Sequence, residues 1–203
     1  FSRAGWLYEV KYDGYRMLIE RHGSVVRLLS RNGNDMTSSF PDVVAAVAAL
    51  PHVRFIIDGE VVVADAGGMP RFQLLQKRAR VSSPGMIAEY AMSLPATFYA
   101  FDLIAFADYD ARSLPLYKRK RLLEMLLPSG GTIRLSEHVE ERGMDFFAAA
   151  EAMGLEGMVA KKADAPYRGG RATEWVKVRA HRSGDELIHD CVSGLHARST
   201  IQR

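Results

Sequence analysis

Only one cysteine, Cys191, occurs in the 203 residues, so no disulfide can close within the chain. That usage fits a reducing compartment. No apolar run approaches the roughly 20 residues of a membrane-spanning helix. The start shows no secretory leader pattern, and its opening at Phe1, already close to a strand, is the expectation for a fragment. The six histidines have no metal-ligand spacing. Excess charge is small: 27 Lys and Arg against 24 Asp and Glu leave +3. This excludes a histone-like polycation and leaves a mild lean toward polyanions. What is present is ordinary globular composition, long enough for one sizeable domain or for one domain and part of another.

The chain is organised around Glu9-Val10-Lys11-Tyr12-Asp13-Gly14-Tyr15-Arg16, which holds the pattern K-x-D-G-x-R. Alternation over Trp6 to Val10 predicts a strand ending near Lys11. Asp13-Gly14 signals a turn, and Met17 to Glu20 reads as the next strand. Lys11 then sits at a strand end with Arg16 returning close to it. A free lysine, with a pKa of about 10.4, is protonated at neutral pH and cannot attack. A nucleophilic lysine therefore needs burial or neighbouring cations such as Arg16. The plainer reading is a hairpin with a surface Lys and Arg.

Further along, Ser24 to Ser30 is β-rich and ends at Arg31-Asn32-Gly33, a turn signal. A helix is predicted over Phe40 to Leu50, with Pro41 in its first turn. Arg54 to Val63 is the strongest strand, interrupted by Asp58 and Glu60. Acids inside an apolar strand cost free energy unless they are paired or bind a metal. Phe72 to Arg78 has helical spacing, and Lys77, Arg78 and Arg80 read as solvated charges. Pro95 to Ile104 reads as a strand. Leu116 to Leu127 reads as one amphipathic helix whose Lys118-Arg119-Lys120-Arg121 run is a solvated face. Thr132 to Val139 reads as a strand and Asp145 to Met153 as a helix. In Trp175 to Arg179, Lys177 and Arg179 share a face with Trp175. Two cations on one buried face call for an anion; the alternative is a basic edge strand protected from aggregation.

K-x-D-G-x-R resembles motif I of the covalent nucleotidyltransferases: ATP-dependent DNA ligases, RNA ligases and mRNA capping enzymes. S-R-N-G at Arg31, D-G-E at Glu60, Y-A-F-D-L at Phe101, E-G-M-V-A-K-K from Glu156 and W-V-K-V-R from Trp175 resemble the family's later motifs, in family order. With Y-R-x-G-R at Tyr167 they look most like the ligase domain of bacterial end-joining ligases.

The resemblance implies an α+β fold in which antiparallel sheets flanked by helices enclose a nucleotide cleft, with residues 1–180 as the adenylation domain. It implies Lys11 as the catalytic nucleophile, forming a lysine–AMP bond. Glu9 and Phe101 would bind adenine, and Arg16, Glu60, Arg171 and Lys177 ribose and phosphates. Arg31 would bind the nucleotide or a 5′-phosphate, and Glu60 and Glu156 the metal. Asp13, Lys161 and Arg179 are further candidates. The implied cofactors are ATP and Mg²⁺ or Mn²⁺. The implied partners are nicked or broken double-stranded DNA and an end-joining protein of the Ku type, with no membrane. The implied setting is a monomer in the bacterial cytoplasm, associated with the nucleoid. An RNA ligase, a capping-type enzyme or a non-catalytic DNA-binding remnant are the alternatives. Residues 181–203 begin like the OB-fold domain that follows in the family and then depart from it, without the family's motif VI. The expectation is a truncated or altered start of that domain, and slow adenylation by this chain alone.

Overall fold

The computed structural model describes residues 1–170 and 173–180 of the chain. Among these described residues two sheets are built from ten strands. The first has the order β10-β9-β1-β8, from β1 (Trp6–Val10), β8 (His138–Glu140), β9 (Gly157–Lys162) and β10 (Trp175–Arg179). The second has the order β3-β2-β4-β5-β6, from β2 (Tyr15–His22), β3 (Val25–Ser30), β4 (Arg54–Val63), β5 (Ala96–Phe106) and β6 (Tyr109–Asp110). Pairing is antiparallel except where β7 (Ile133–Leu135) joins β5 in parallel. Five helices flank the sheets: α1 (Pro41–Ala48), α2 (Phe72–Ala79), α3 (Pro84–Ser93), α4 (Leu116–Leu126) and α5 (Gly143–Ala152). The α+β expectation stands.

Each sheet has its own core. Met17, Ile19, Leu28, Ile57, Phe98 and Leu103 of the second sheet bury against Val43 and Val47 of α1 and Leu123 of α4. The spacing of those helical residues puts them on one face. Trp6, Tyr8, Met158 and Ala160 of the first sheet bury beneath Phe146 and Phe147 of α5.

The strands on either side of K-x-D-G-x-R do not form the hairpin of the plainer sequence reading. β1 belongs to the first sheet and β2 to the second. The stretch from Lys11 to Gly14 is the crossing between them. Lys11 N–H donates to the Gly157 carbonyl at 3.0 Å and so stays on the first sheet. Gly14 lies against β4 so closely that a Cβ there would run into the Val61 carbonyl oxygen and the Glu60 and Val62 side chains. Gly14→Ala is therefore expected to cost about 1–3 kcal/mol by overpacking, read as a lower midpoint in urea unfolding.

The Thr132–Val139 strand is also two strands in different sheets. The chain leaves β7 at Leu135, crosses at Ser136 and enters β8 at His138. Ser136 N–H donates to the Ala100 carbonyl of β5 at 2.7 Å, which fixes the crossing point.

Candidate nucleotide-transfer site

The first sheet presents one side-chain face to a cavity of about 190 Å³. In its register Glu9 lies opposite Val159, Val159 opposite Lys177, and Lys161 opposite Trp175. Period-two alternation puts these residues on the face away from the Trp6–Tyr8 core. The second sheet supplies Arg16, Glu60 and Phe101 to the same cavity, and Lys11, Asp13 and Glu156 also line it. The two sheets and the segments between them thus bring together nine of the candidate site residues named from sequence.

Phe101 reaches the cavity because β5 is irregular. Gly59 pairs with Ala100 and Asp58 with Asp102, so Phe101 is an extra residue at a β-bulge. The bulge lets Phe98, Ala100 and Leu103 all enter the second core while Phe101 leaves it. The ring is only 8% exposed. The Lys161 ammonium lies 4.3 Å from its centroid and 4.2 Å from that of Trp175. The cavity is smaller than the roughly 300–1,000 Å³ of pockets for drug-sized ligands. A base stacking on Phe101 must therefore displace Lys161 or share the ring with it.

Lys11 pairs with Glu156 across the mouth of the cavity. Arg179 is a second, looser partner of Glu156 at 3.8 Å. Arg16 does not act as an uncommitted cation beside Lys11. Its guanidinium grips the buried Asp58 through two hydrogen bonds of 3.1 and 2.6 Å. Tyr167 completes the set by donating to Asp58 at 2.9 Å. This resolves the two acids of β4: Asp58 is the paired one, whereas Glu60 faces the cavity.

Burial pushes the Glu60 carboxyl up to about 7, against the pull of Lys177, Arg16 and Lys11. A raised carboxyl keeps its proton in the folded chain between its ordinary value near 4.5 and 7, where the unfolded chain has lost it. Stability from this group is full below that window and is lost as pH rises through it. Glu60→Gln cannot titrate, so its melting temperature without metal or nucleotide should fall less than the wild type's between about pH 5 and 8. Parallel curves would show that Glu60 does not titrate there.

Lys177 and Arg179 are exposed, and β10 is an edge strand, so the buried basic face expected from sequence is not found. The Lys177 ammonium is nonetheless held below its ordinary value by partial desolvation, then by the Lys11, Arg16 and Arg31 charges. Arg31 is exposed in the turn after β3 and does not line the cavity. Its charge is still felt at Lys177, which puts it at the rim. Arg171 and the 181–203 segment lie outside the described residues.

Three basic residues read as solvated are buried. Arg78 of α2 is 1% exposed and clamps Asp42 of α1 and the Leu94 carbonyl. Arg119 of α4 holds the buried Asp102 through bonds of 2.6 and 2.9 Å. Lys120, 2% exposed, pairs with Glu9. For Arg119 and Lys120 the available signal was the acid in an apolar strand, Asp102 of β5 and Glu9 of β1, which requires a cation from elsewhere. Tyr167 opens the Y-R-x-G-R stretch of the sequence, which gave it no role of its own.

The chain matches the model of the ATP dependent DNA ligase domain over residues 1–179. It belongs to the ATP-dependent DNA ligase family. It is 35% identical over 188 residues to the multifunctional non-homologous end joining protein LigD of Pseudomonas aeruginosa, covering 92% of this chain and 21% of that protein. It is 34% identical to DNA ligase C of Mycobacterium tuberculosis, covering 93% and 58% respectively. Among solved structures, mycobacterial DNA ligase D complexed with ATP and MES aligns with a TM-score of 0.71 and 31% identity, over 86% of this chain and 54% of that one. The chain thus spans less than two thirds of each of these relatives. Among the described residues no helix is long and apolar enough to cross a membrane.

The ligase family implies a nucleotide and a divalent metal. The donor set fits both. Lys11, Arg16, Lys161 and Lys177 surround one cavity that the Phe101 and Trp175 rings also line, which suits a base attached to phosphates. Among the described residues no three His, Cys, Asp or Glu side chains converge as a metal cage. Mg²⁺ asks less, needing one or two carboxylates together with phosphate oxygens, and the Glu60 and Glu156 carboxylates line this cavity.

Proposed function

We propose that this chain carries the nucleotide-transfer chemistry of an ATP-dependent DNA ligase, with Lys11 as the nucleophile. The observation that carries the reading is the position of Lys11. It stands where two sheets meet, at the mouth of a cavity whose other cations come from both. The Lys11 amine attacks the α-phosphorus of ATP, a phosphorus–nitrogen bond forms, and pyrophosphate leaves. The AMP passes to the 5′-phosphate of a DNA break, and a 3′-hydroxyl then displaces it to close the strand. Glu156 has to release Lys11 before the amine can attack. Arg16, fixed by Asp58 and Tyr167, is pre-positioned for phosphate or ribose, and Lys177 adds a cation from the first sheet. Mg²⁺ held by Glu60 and Glu156 would supply charge neutralisation at the phosphates.

DNA is the proposed acceptor because the relatives are named as DNA ligases and end-joining proteins. Arg31 at the rim is suited to a backbone phosphate, the group that dominates such affinity. The test is transfer of radiolabel from α-labelled ATP or GTP to the chain, resolved on a denaturing gel. Label is expected from ATP well above GTP. Equal labelling by GTP would refute the assignment of ATP and point to a capping-type enzyme.

A further inference from the structure

Behind the cavity lies a buried polar cluster with one more cation than anion. Glu9 of β1 is 1% exposed and meets two ammonium groups. Lys161 Nζ lies 3.0 Å from Glu9 Oε2 and Lys120 Nζ 2.8 Å from Oε1. Ser136 Oγ donates to Oε2 at 3.0 Å. Lys120 donates to the Ser136 carbonyl at 2.6 Å. Its contact with Oε1 is close but is not aligned as a hydrogen bond, so Oε1 is left as a buried acceptor without a donor. The two lysines differ in position. Lys161 lines the cavity, over the Phe101 and Trp175 rings, whereas Lys120 does not line it.

We propose that Lys120 is a positioning residue that sets nucleobase selectivity by holding Glu9 as an ionised, acceptor-only carboxylate. This rests on the reading above that the cavity takes ATP with its base toward Glu9. An ionised carboxylate accepts hydrogen bonds and donates none. It suits the 6-amino group of adenine and repels the 6-oxo group of guanine. A protonated carboxyl could donate to that oxo group, and the distinction would be lost. A carboxyl this deeply buried would keep its proton without cations beside it. Burial pushes Glu9 up, but Lys120 and Lys161 together bring it below the ordinary carboxylate range. Lys161 is the cation an entering nucleotide displaces from Phe101 or draws toward its phosphates. Lys120, tied to Ser136 from α4, stays. The other groups that act on Glu9 are His138 of β8, whose ring is itself held below its ordinary value by burial and by Lys120, and Tyr12 at the end of β1.

The test measures binding of α,β-methylene ATP and α,β-methylene GTP, which cannot transfer AMP or GMP, so Lys11 chemistry does not enter. The wild-type chain should favour the adenine analogue by at least about tenfold, since a site built around one hydrogen bond rejects the mismatched partner strongly. Lys120→Met should shrink that ratio by about tenfold or more, and more at about pH 6 than at about pH 8. Glu9→Gln should shrink it too, and adding Lys120→Met to Glu9→Gln should change it no further. If Lys120→Met does not fold, Lys120→Gln, which keeps a donor for the Ser136 carbonyl without the charge, must show the same loss. A folded Lys120 variant with the wild-type ratio overturns the proposal, as does one that binds both analogues equally more weakly. Failure of the wild-type chain to bind either analogue would instead overturn the ATP reading, and this inference with it.

Discussion

Arg119→Met is expected to destabilise the fold by about 3–5 kcal/mol, the cost of stranding one member of a buried ion pair. Arg119 and Asp102 are both fully buried. Their paired hydrogen bonds tie α4 to β5, and Arg119 also reaches the Leu114 and Ala165 carbonyls. Without the guanidinium, Asp102 loses both of its side-chain hydrogen bonds and keeps only the longer-range pull of Lys161. The Leu114 carbonyl loses its Arg119 donor, and the Ala165 carbonyl is left with the Leu116 N–H alone. Burial already holds the Asp102 carboxyl above the ordinary range, with Arg119 pulling the other way. In the variant the carboxyl takes up a proton more readily, so the loss should be smaller at acid pH and grow as pH rises. Urea unfolding at two pH values measures both effects. Arg119→Met combined with Asp102→Leu should recover much of the loss, because an apolar pair of similar volume avoids the unpaired charge. If the double variant is no more stable than the single one, the damage lies in the carbonyl contacts.

Lys11→Ala should abolish covalent labelling by ATP while leaving noncovalent ATP binding in place. Arg16 and Lys177 remain to meet the phosphates, and removing Lys11 relieves the repulsion it exerts on Lys177. Lys11→Arg is the sharper variant. It keeps the charge, but a guanidinium stays protonated and is no nucleophile. Gel-resolved label in either variant would place the nucleophile elsewhere.

Much of this site was readable from the chain because its residues sit in short, strongly patterned segments. The strand ending before Lys11, the glycine after Asp13 and the acids within β4 are local features, and local features survive without knowledge of the fold. What the sequence could not show is which sheet a strand joins. β1 and β2 read as a hairpin, and Thr132 to Val139 as one strand, because alternation is the same on either side of a crossing. Nor could a run such as Lys118 to Arg121 reveal that its middle two residues are buried. That depends on Asp102 and Glu9, which are close only after folding. The β5 bulge at Phe101 is invisible for the same reason, since it is defined by the partner strand.

The crossing at Lys11 divides the reacting groups between two frames, one for each sheet. The nucleophile travels with β1 and β9, while Arg16 and Glu60 travel with β2 and β4. Near the crossing the frames touch through the stacked rings of Tyr12 and Tyr99, 4.1 Å apart. A tilt of one frame against the other changes the line of approach from amine to phosphorus with every hydrogen bond inside each sheet intact. Alignment for attack is therefore a property of the joint between the frames, and substitutions at that joint can alter the reaction rate without touching a residue that meets ATP.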